Sequence, residues 1–384
     1  MASFIVPRQT FHGPGSLENL RDATGKKAVI VTGGSSMRRE GVLDRAVDLL
    51  KAAGIDSAIF EGVESDPSVE TVMRGVAFFN RENPDLIVGL GGCSAIDAAK
   101  AIWVFYEHPD ARFEKITAPF SIKPLRKKAR FVAIPSTSGT GTEATCVAVI
   151  TDIKKGIKYP LVSYEICPDI AIVDGELART MPPNVTADTG MDALSHDVEA
   201  FVAALATPYT DALATDSVRM IFDTLPRACQ NGDDIQARQT MHDASCFAGM
   251  AFSNAILGIV HAISHQVGGM FDIPHGRANA ILMPNIIRYN SRDTGKYELL
   301  ARILGGETSE DFAREIEKLR NTLDIEDSFK AYGIAPEEWD AKLEDMVRNA
   351  LADPCTGTNP RTPSAEEMKK IFTCCFNGTC FTEA

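Results

Sequence analysis

Near residue 180 the chain changes character, and nothing else in the sequence constrains its fold as tightly. Before that point, short apolar runs rich in β-branched residues at 28–32, 57–60, 86–90 and 131–134 alternate with apolar-periodic stretches at 42–53, 68–80 and 95–105. Strands covered by helices on both faces read as continuous apolar runs, so this alternation predicts a doubly wound parallel sheet. Further strand signals at 147–151 and 170–174 close this half. From Met181-Pro182-Pro183 onward strand signals vanish and long apolar-periodic segments take over. Residues 1–180 are therefore expected to form an α/β domain and residues 181–384 an all-helical one. A chain of 384 residues is also too long for one ordinary core.

Composition narrows the classes of function. With 45% hydrophobic and 24% charged residues the chain is globular. A formal charge of -13 argues against nucleic acid or an anionic membrane as partner. Nine scattered cysteines fit reduced thiols in a cytoplasm rather than a disulfide framework. Cys374, Cys375 and Cys380 are read as helix and tail residues, because no second pair stands at zinc-finger spacing. The stretch Met1 to Arg8 lacks the apolar core of a signal peptide, and no apolar run is long enough to span a bilayer. A cytoplasmic location and a homodimer or higher homo-oligomer are expected.

Three glycine-containing turns follow strands in the first half. They are Gly33-Gly34-Ser35-Ser36, Gly91-Gly92-Cys93-Ser94, and Ser136-Thr137-Ser138-Gly139-Thr140-Gly141. Glycine lets backbone approach a ligand closely, and a helix opening straight afterwards offers free amides to a phosphate. One such turn is weak evidence. Three in one doubly wound half predict a nucleotide site, with Gly91 to Ser94 the best pyrophosphate candidate.

The second half carries the metal-ligand spacing. Asp192 and His196 are four apart and share one helix face; His261 and His265 repeat that spacing, and His275 follows. These are four of only seven histidines in the chain. One carboxylate with three imidazoles suits a divalent transition metal with a position left open for substrate. Any one of these histidines alone is better read as a core or cap residue.

These motifs resemble the iron-containing (group III) alcohol dehydrogenases from end to end, most nearly the NADP-linked butanol and ethanol dehydrogenase branch. The resemblance is carried by Gly190-Met191-Asp192-Ala193-Leu194-Ser195-His196, by Gly258-Ile259-Val260-His261-Ala262-Ile263-Ser264-His265 and by Pro274-His275-Gly276-Arg277-Ala278-Asn279-Ala280. It implies the dehydroquinate synthase-like fold. It implies that Asp192, His196, His261 and His275 bind the metal, and that His265 stands beside the nicotinamide as a substrate or proton-relay residue. The cofactor motifs match at Gly91, Gly92, Ser94 and Asp97, at Pro135 to Glu143 (with Thr137, Ser138 and Thr140), and at Lys158. Cys355 to Arg361 resembles a stretch bordering the substrate pocket. The implied activity is hydride transfer between a nicotinamide and a small primary alcohol or aldehyde, with Fe²⁺ as Lewis acid; the ligand set alone accepts Zn²⁺ equally well.

Two positions depart from the family pattern. Cys93 replaces a common third glycine. Gly33 stands where NAD-linked members place an aspartate on the adenosine ribose. With Gly34, Ser35 and Ser36 following and Arg38 and Arg39 close by, NADP(H) is favoured over NAD(H). Arg277 is a candidate anchor for an anionic aldehyde such as a semialdehyde or sulfoacetaldehyde, against the reading of a salt-bridged structural arginine. Rival readings are a metal-dependent hydrolase, which leaves the glycine turns without a role, a non-catalytic nucleotide-binding relative, and a sugar- or glycerol-phosphate enzyme of the same superfamily.

Overall fold

The apolar runs of the first half form a six-stranded sheet in the order β1-β8-β5-β4-β2-β3, with every neighbouring pair parallel. The computed structural model describes residues 3–382. The strands are β1 (Gln9–His12), β2 (Lys27–Gly33), β3 (Asp56–Val63), β4 (Leu86–Gly91), β5 (Arg130–Pro135) and β8 (Ile170–Val173). Successive side chains alternate faces, as strand geometry requires. Val29, Val31, Ile87 and Phe131 pack with helices α2 (Val69–Glu82) and α3 (Cys93–Glu107). Ala28, Ile30, Val88 and Val132 join Leu43, Ala46 and Leu50 of α1 (Val42–Ala52) on the other face.

One strand expectation is corrected. Residues 147–151 do not extend the parallel sheet: β6 (Val147–Asp152) pairs antiparallel with β7 (Ile157–Val162) in a separate ribbon. The reason is short-range: only four residues separate the two runs, enough for a hairpin and far too few for a parallel crossover. The short edge strand β1 and the exposed strand β7 carry no strong apolar pattern, which hid both from a hydrophobicity reading.

Along the chain, the two compact units divide at the Thr180/Met181 junction. The second unit is built of α4 (Pro183–Val202), α5 (Pro208–Gln230), α6 (Ile235–Ala255), α7 (Ile259–Phe271), α8 (His275–Asn290), α9 (Lys296–Ile303), α10 (Ser309–Thr322), α11 (Pro336–Ala352) and α12 (Ala365–Asn377), with no β-strand among the described residues. Helix α4 is buried at every position from Gly190 to Val202. A helix buried on all sides belongs at the centre of a bundle, and α5, α6 and α8 pack around it. No single helix among the described residues is long and apolar enough to cross a membrane.

Candidate metal centre and nucleotide-binding turns

Asp192 lies on the central helix α4, and three histidines converge on it. Its Oδ1 is 3.6 Å from His275 Nε2, and 3.9 Å from both His261 Nε2 and His196 Nε2. These distances are too long for hydrogen bonds and suit donors spaced around one cation. Asp192, His261 and His275 each offer a ligand atom within 4.8 Å of the others. His196 stands beside them, its ring stacked on His261 at 4.7 Å and on Phe252 at 4.3 Å. His261 Nε2 is buried with no hydrogen-bond partner. A buried lone pair facing a carboxylate and two imidazoles calls for a cation, so the residues present fit a divalent metal.

The backbone that brings these groups together depends on glycine at one point. A Cβ at Gly276 would fall 1.7 Å from the Asp188 carbonyl oxygen and 3.1 Å from Asp192 Cβ. Only glycine lets the first turn of α8 close on α4 and carry His275 to Asp192.

Surrounding groups orient the ligands. Asn279 Nδ2 donates to Asp192 Oδ1 at 2.9 Å and to Ser195 Oγ at 3.0 Å. Ser264 Oγ lies 3.3 Å from His275 Nδ1. Glu199 Oε2 lies 2.6 Å from His261 Nδ1. Burial pushes the Glu199 carboxyl up to about 7, against the pull of the Gly258, Val260 and His261 N–H groups. Burial also holds His261 well below the usual imidazole range, with neighbouring histidines adding to it. His275 is held down to about 3 by the protein packed around it, although 38% of its side chain still reaches solvent. Both rings are thus neutral at physiological pH, the form that ligates a metal.

His265 is next to this group but tied elsewhere. Its Nδ1 lies 2.9 Å from Asp353 Oδ2, and its ring stacks on His275 at 5.6 Å. The hydrogen bond and charge of His265 lower the Asp353 pKa in spite of burial. With Nδ1 engaged, Nε2 is the atom left for substrate or solvent.

In the first unit the three glycine turns sit at the carboxyl ends of the adjacent strands β2, β4 and β5. A Cβ at Gly91 would lie 3.8 Å from Thr32 Oγ1, and one at Gly92 3.7 Å from Thr137 Cγ2. The chain runs from β2 outward to β3 and from β4 the other way to β5, so a topological switch point lies between β2 and β4. Gly92 precedes α3 without a side-chain cap, leaving its first amides open to an anion. Gly33, Gly34, Ser36, Gly91, Gly92, Ser94, Thr137, Ser138 and Thr140 all belong to these turns.

Other predicted residues are placed differently. Asp97 does not present a free carboxylate: it accepts from Thr142 Oγ1 at 2.7 Å, Val149 N at 2.8 Å and Cys93 Sγ at 3.6 Å. It is 4% exposed, and these bonds tie the third turn and β6 to α3. Lys158, on β7, pairs with Asp66 at 2.7 Å. Arg38 is held by Glu61 at 2.7 Å, while Arg39 is largely exposed and lies 3.9 Å from Glu40. Arg277 is bound between Asp188 at 3.0 Å and Glu326 at 2.7 Å. Cys355, half-buried, opens a 3-10 turn through the hydrogen bond from its N–H to Asp353 Oδ1 at 2.9 Å.

Sequence reasoning passed over Glu199, Asp353 and Phe252. Glu199 had a signal: positions 192, 196 and 199 follow i, i+4, i+7 and share one face of α4. Asp353 and Phe252 reach the site through contacts distant in sequence and carry no such pattern.

Two family models match the chain: iron-containing alcohol dehydrogenase over residues 7–175, and the C-terminal part of the Fe-containing alcohol dehydrogenase family over residues 186–376. The NADPH-dependent butanol dehydrogenase of Clostridium saccharobutylicum is 48% identical over 99% of both chains. A solved 1,3-propanediol oxidoreductase is 36% identical with a TM-score of 0.90, covering 98% of this chain and 100% of that one. The iron-containing alcohol dehydrogenase of Thermococcus thioreducens is 34% identical with a TM-score of 0.91, over 98% and 100%.

Proposed function

The chain belongs to the iron-containing alcohol dehydrogenase family and is a metal-dependent oxidoreductase of alcohols and aldehydes; from that premise we propose its metal, its cofactor and its substrate class. The metal is Fe²⁺, held by Asp192, His196, His261 and His275, with Zn²⁺ accepted by the same donors. The single observation that carries this is the convergence of three Nε2 atoms on Asp192 Oδ1, at 3.6 to 3.9 Å.

When bound, the metal supplies a Lewis acid for the substrate oxygen, and the nicotinamide supplies or accepts the hydride. The chain's own residues do the rest. Asn279, Ser264 and Glu199 fix the directions of the ligands, so that the site is organised before substrate arrives. Phe252 covers one face of His196 and keeps water off it. His265, oriented by Asp353, is the group able to hold or pass the hydroxyl proton at Nε2.

The cofactor is NADP(H). Gly33 places no carboxylate against a 2′-phosphate, and Gly34, Ser36 and the exposed Arg39, only loosely paired with Glu40 at 3.9 Å, offer amides, a hydroxyl and a cation. The name of the butanol dehydrogenase relative points the same way. The substrate is a neutral small primary alcohol or its aldehyde, because Arg277 is neutralised by two carboxylates. The protein acts in the cytoplasm as a homodimer or larger assembly, which light scattering checks.

A panel of neutral and anionic aldehydes, run with NADPH and NADH on Fe²⁺-reconstituted protein, tests the proposal. Fastest turnover of a neutral aldehyde with NADPH supports it. Preference for NADH, or for an anionic aldehyde, overturns the corresponding part.

A further inference from the structure

The first turn of a helix leaves backbone N–H groups without intrahelical partners, and a buried turn must find acceptors for them elsewhere. Helix α7, which carries His261, has no side-chain cap of its own: its N-cap is Gly258. Its orphan donors are met by other elements. Ile259 N donates to Asn359 Oδ1 at 3.3 Å, while Val260 N donates to Glu199 Oε1 at 2.6 Å and His261 N to Glu199 Oε2 at 3.4 Å. Glu199 thus caps α7 from α4, one turn beyond His196. A Cβ at Gly258 would lie 2.8 Å from Glu199 Oε1 and 2.7 Å from Asn359 Oδ1, so glycine is what lets both acceptors in.

The same carboxylate meets the ring of His261. Oε2, 2.6 Å from Nδ1, already accepts a backbone N–H, and a second donor completes its arrangement. Nδ1 therefore carries the ring proton and Nε2 the lone pair. That Nε2 is the buried atom without a partner, facing Asp192. Carboxylate, imidazole and vacant lone pair stand in line, the arrangement by which an outer carboxylate fixes the tautomer and raises the basicity of a metal-bound histidine.

We infer that Glu199 is a positioning residue of the metal centre: it caps the helix bearing His261 and sets that ring's tautomer, and so governs metal affinity. This rests on the metal-centre reading above. An amide at this place has one acceptor and one donor end, and cannot accept from both Val260 N and His261 Nδ1.

Co²⁺, whose visible spectrum reports its ligand field, is the probe, titrated into the full-length apoprotein and competed against a chelator. E199Q is expected to bind Co²⁺ about 10- to 100-fold more weakly, with an altered spectrum. N359A removes the acceptor for Ile259 N and loosens the same helix start without touching the His261 ring, and its Co²⁺ affinity should stay near that of the wild type. Unchanged affinity in E199Q overturns the inference, and so does an equal loss in N359A, which would make Glu199 a mere backbone tie. Should E199Q not fold, E199D draws the oxygens back by one methylene; weaker Co²⁺ binding in an E199D protein that melts like the wild type supports the inference, and unchanged binding overturns it. If the wild type binds no Co²⁺ that H275A abolishes, the metal-centre reading itself fails.

Discussion

At the scale of single residues, the three histidines around Asp192 and the fourth beside them divide into different tasks. His265 stacks on His275, yet its Nδ1 is engaged by Asp353, whereas the Nε2 atoms that approach Asp192 Oδ1 at 3.6 to 3.9 Å are those of His196, His261 and His275. H265A should therefore retain its metal and lose about a hundredfold or more in turnover, measured by metal analysis beside steady-state kinetics; loss of metal would make it a ligand. The cofactor turn gives a second residue-scale prediction. G33D, the obvious exchange toward NAD, is blocked, because a Cβ there would lie 2.9 Å from the Val63 carbonyl oxygen. S36D brings the carboxylate without that clash. Repulsion on the order of a few kcal/mol at contact should weaken NADPH against NADH by roughly tenfold or more in kcat/KM; equal effects on both would place the 2′-phosphate elsewhere. The candidate ligands Asp192, His196 and His261 were legible because they and His265 keep helical spacing that survives in one dimension. Their carboxylate supports were not, since Glu199 meets His261 across 62 positions and Asp353 meets His265 across 88. The ion pairs of Arg277 were hidden for the same reason: its partners Asp188 and Glu326 are invisible until the chain folds.

At the scale of elements, two helix starts make testable claims. Gly276 lets α8 rest on α4, so G276A must push the two helices apart. Overpacking of this kind costs about 1–3 kcal/mol, and here it also moves His275 off Asp192. Denaturant unfolding should show the loss and metal analysis a reduced content; a variant unchanged in both would mean the helices are free to part. At the start of α2, Glu64 accepts from Ser68 N at 2.9 Å and from the Ser68 and Thr71 hydroxyls. Partial burial pushes its pKa up, but these bonds prevail and hold it down to about 2. A folded-state pKa below the ordinary glutamate value of about 4.3 stabilises the fold above that value, and the contribution is lost as pH falls toward about 2. E64Q should be less stable than the wild type at neutral pH, and the gap in melting temperature should close through that acid window. A gap independent of pH would assign the effect to packing alone. Apart from the edge strand β1, the parallel strands were legible from their apolar runs. The β6–β7 ribbon was not, because its pairing depends on the short turn between the runs rather than on the runs themselves.

At the scale of the whole molecule, chemistry is divided between two units whose sequences differ in kind: glycine turns on a parallel sheet in one, carboxylate and imidazoles on a helical bundle in the other. That division was readable because a parallel sheet and a helical bundle bury apolar surface with different periods. The account stands or falls on the metal centre in the second unit. The most direct measurement is H261A, purified beside the wild type, reconstituted anaerobically with Fe²⁺, and assayed for bound metal and for aldehyde-dependent oxidation of NADPH. The wild type should hold stoichiometric metal and turn over, while H261A should lose both with its circular dichroism unchanged. Full metal occupancy together with full activity in H261A would contradict the account.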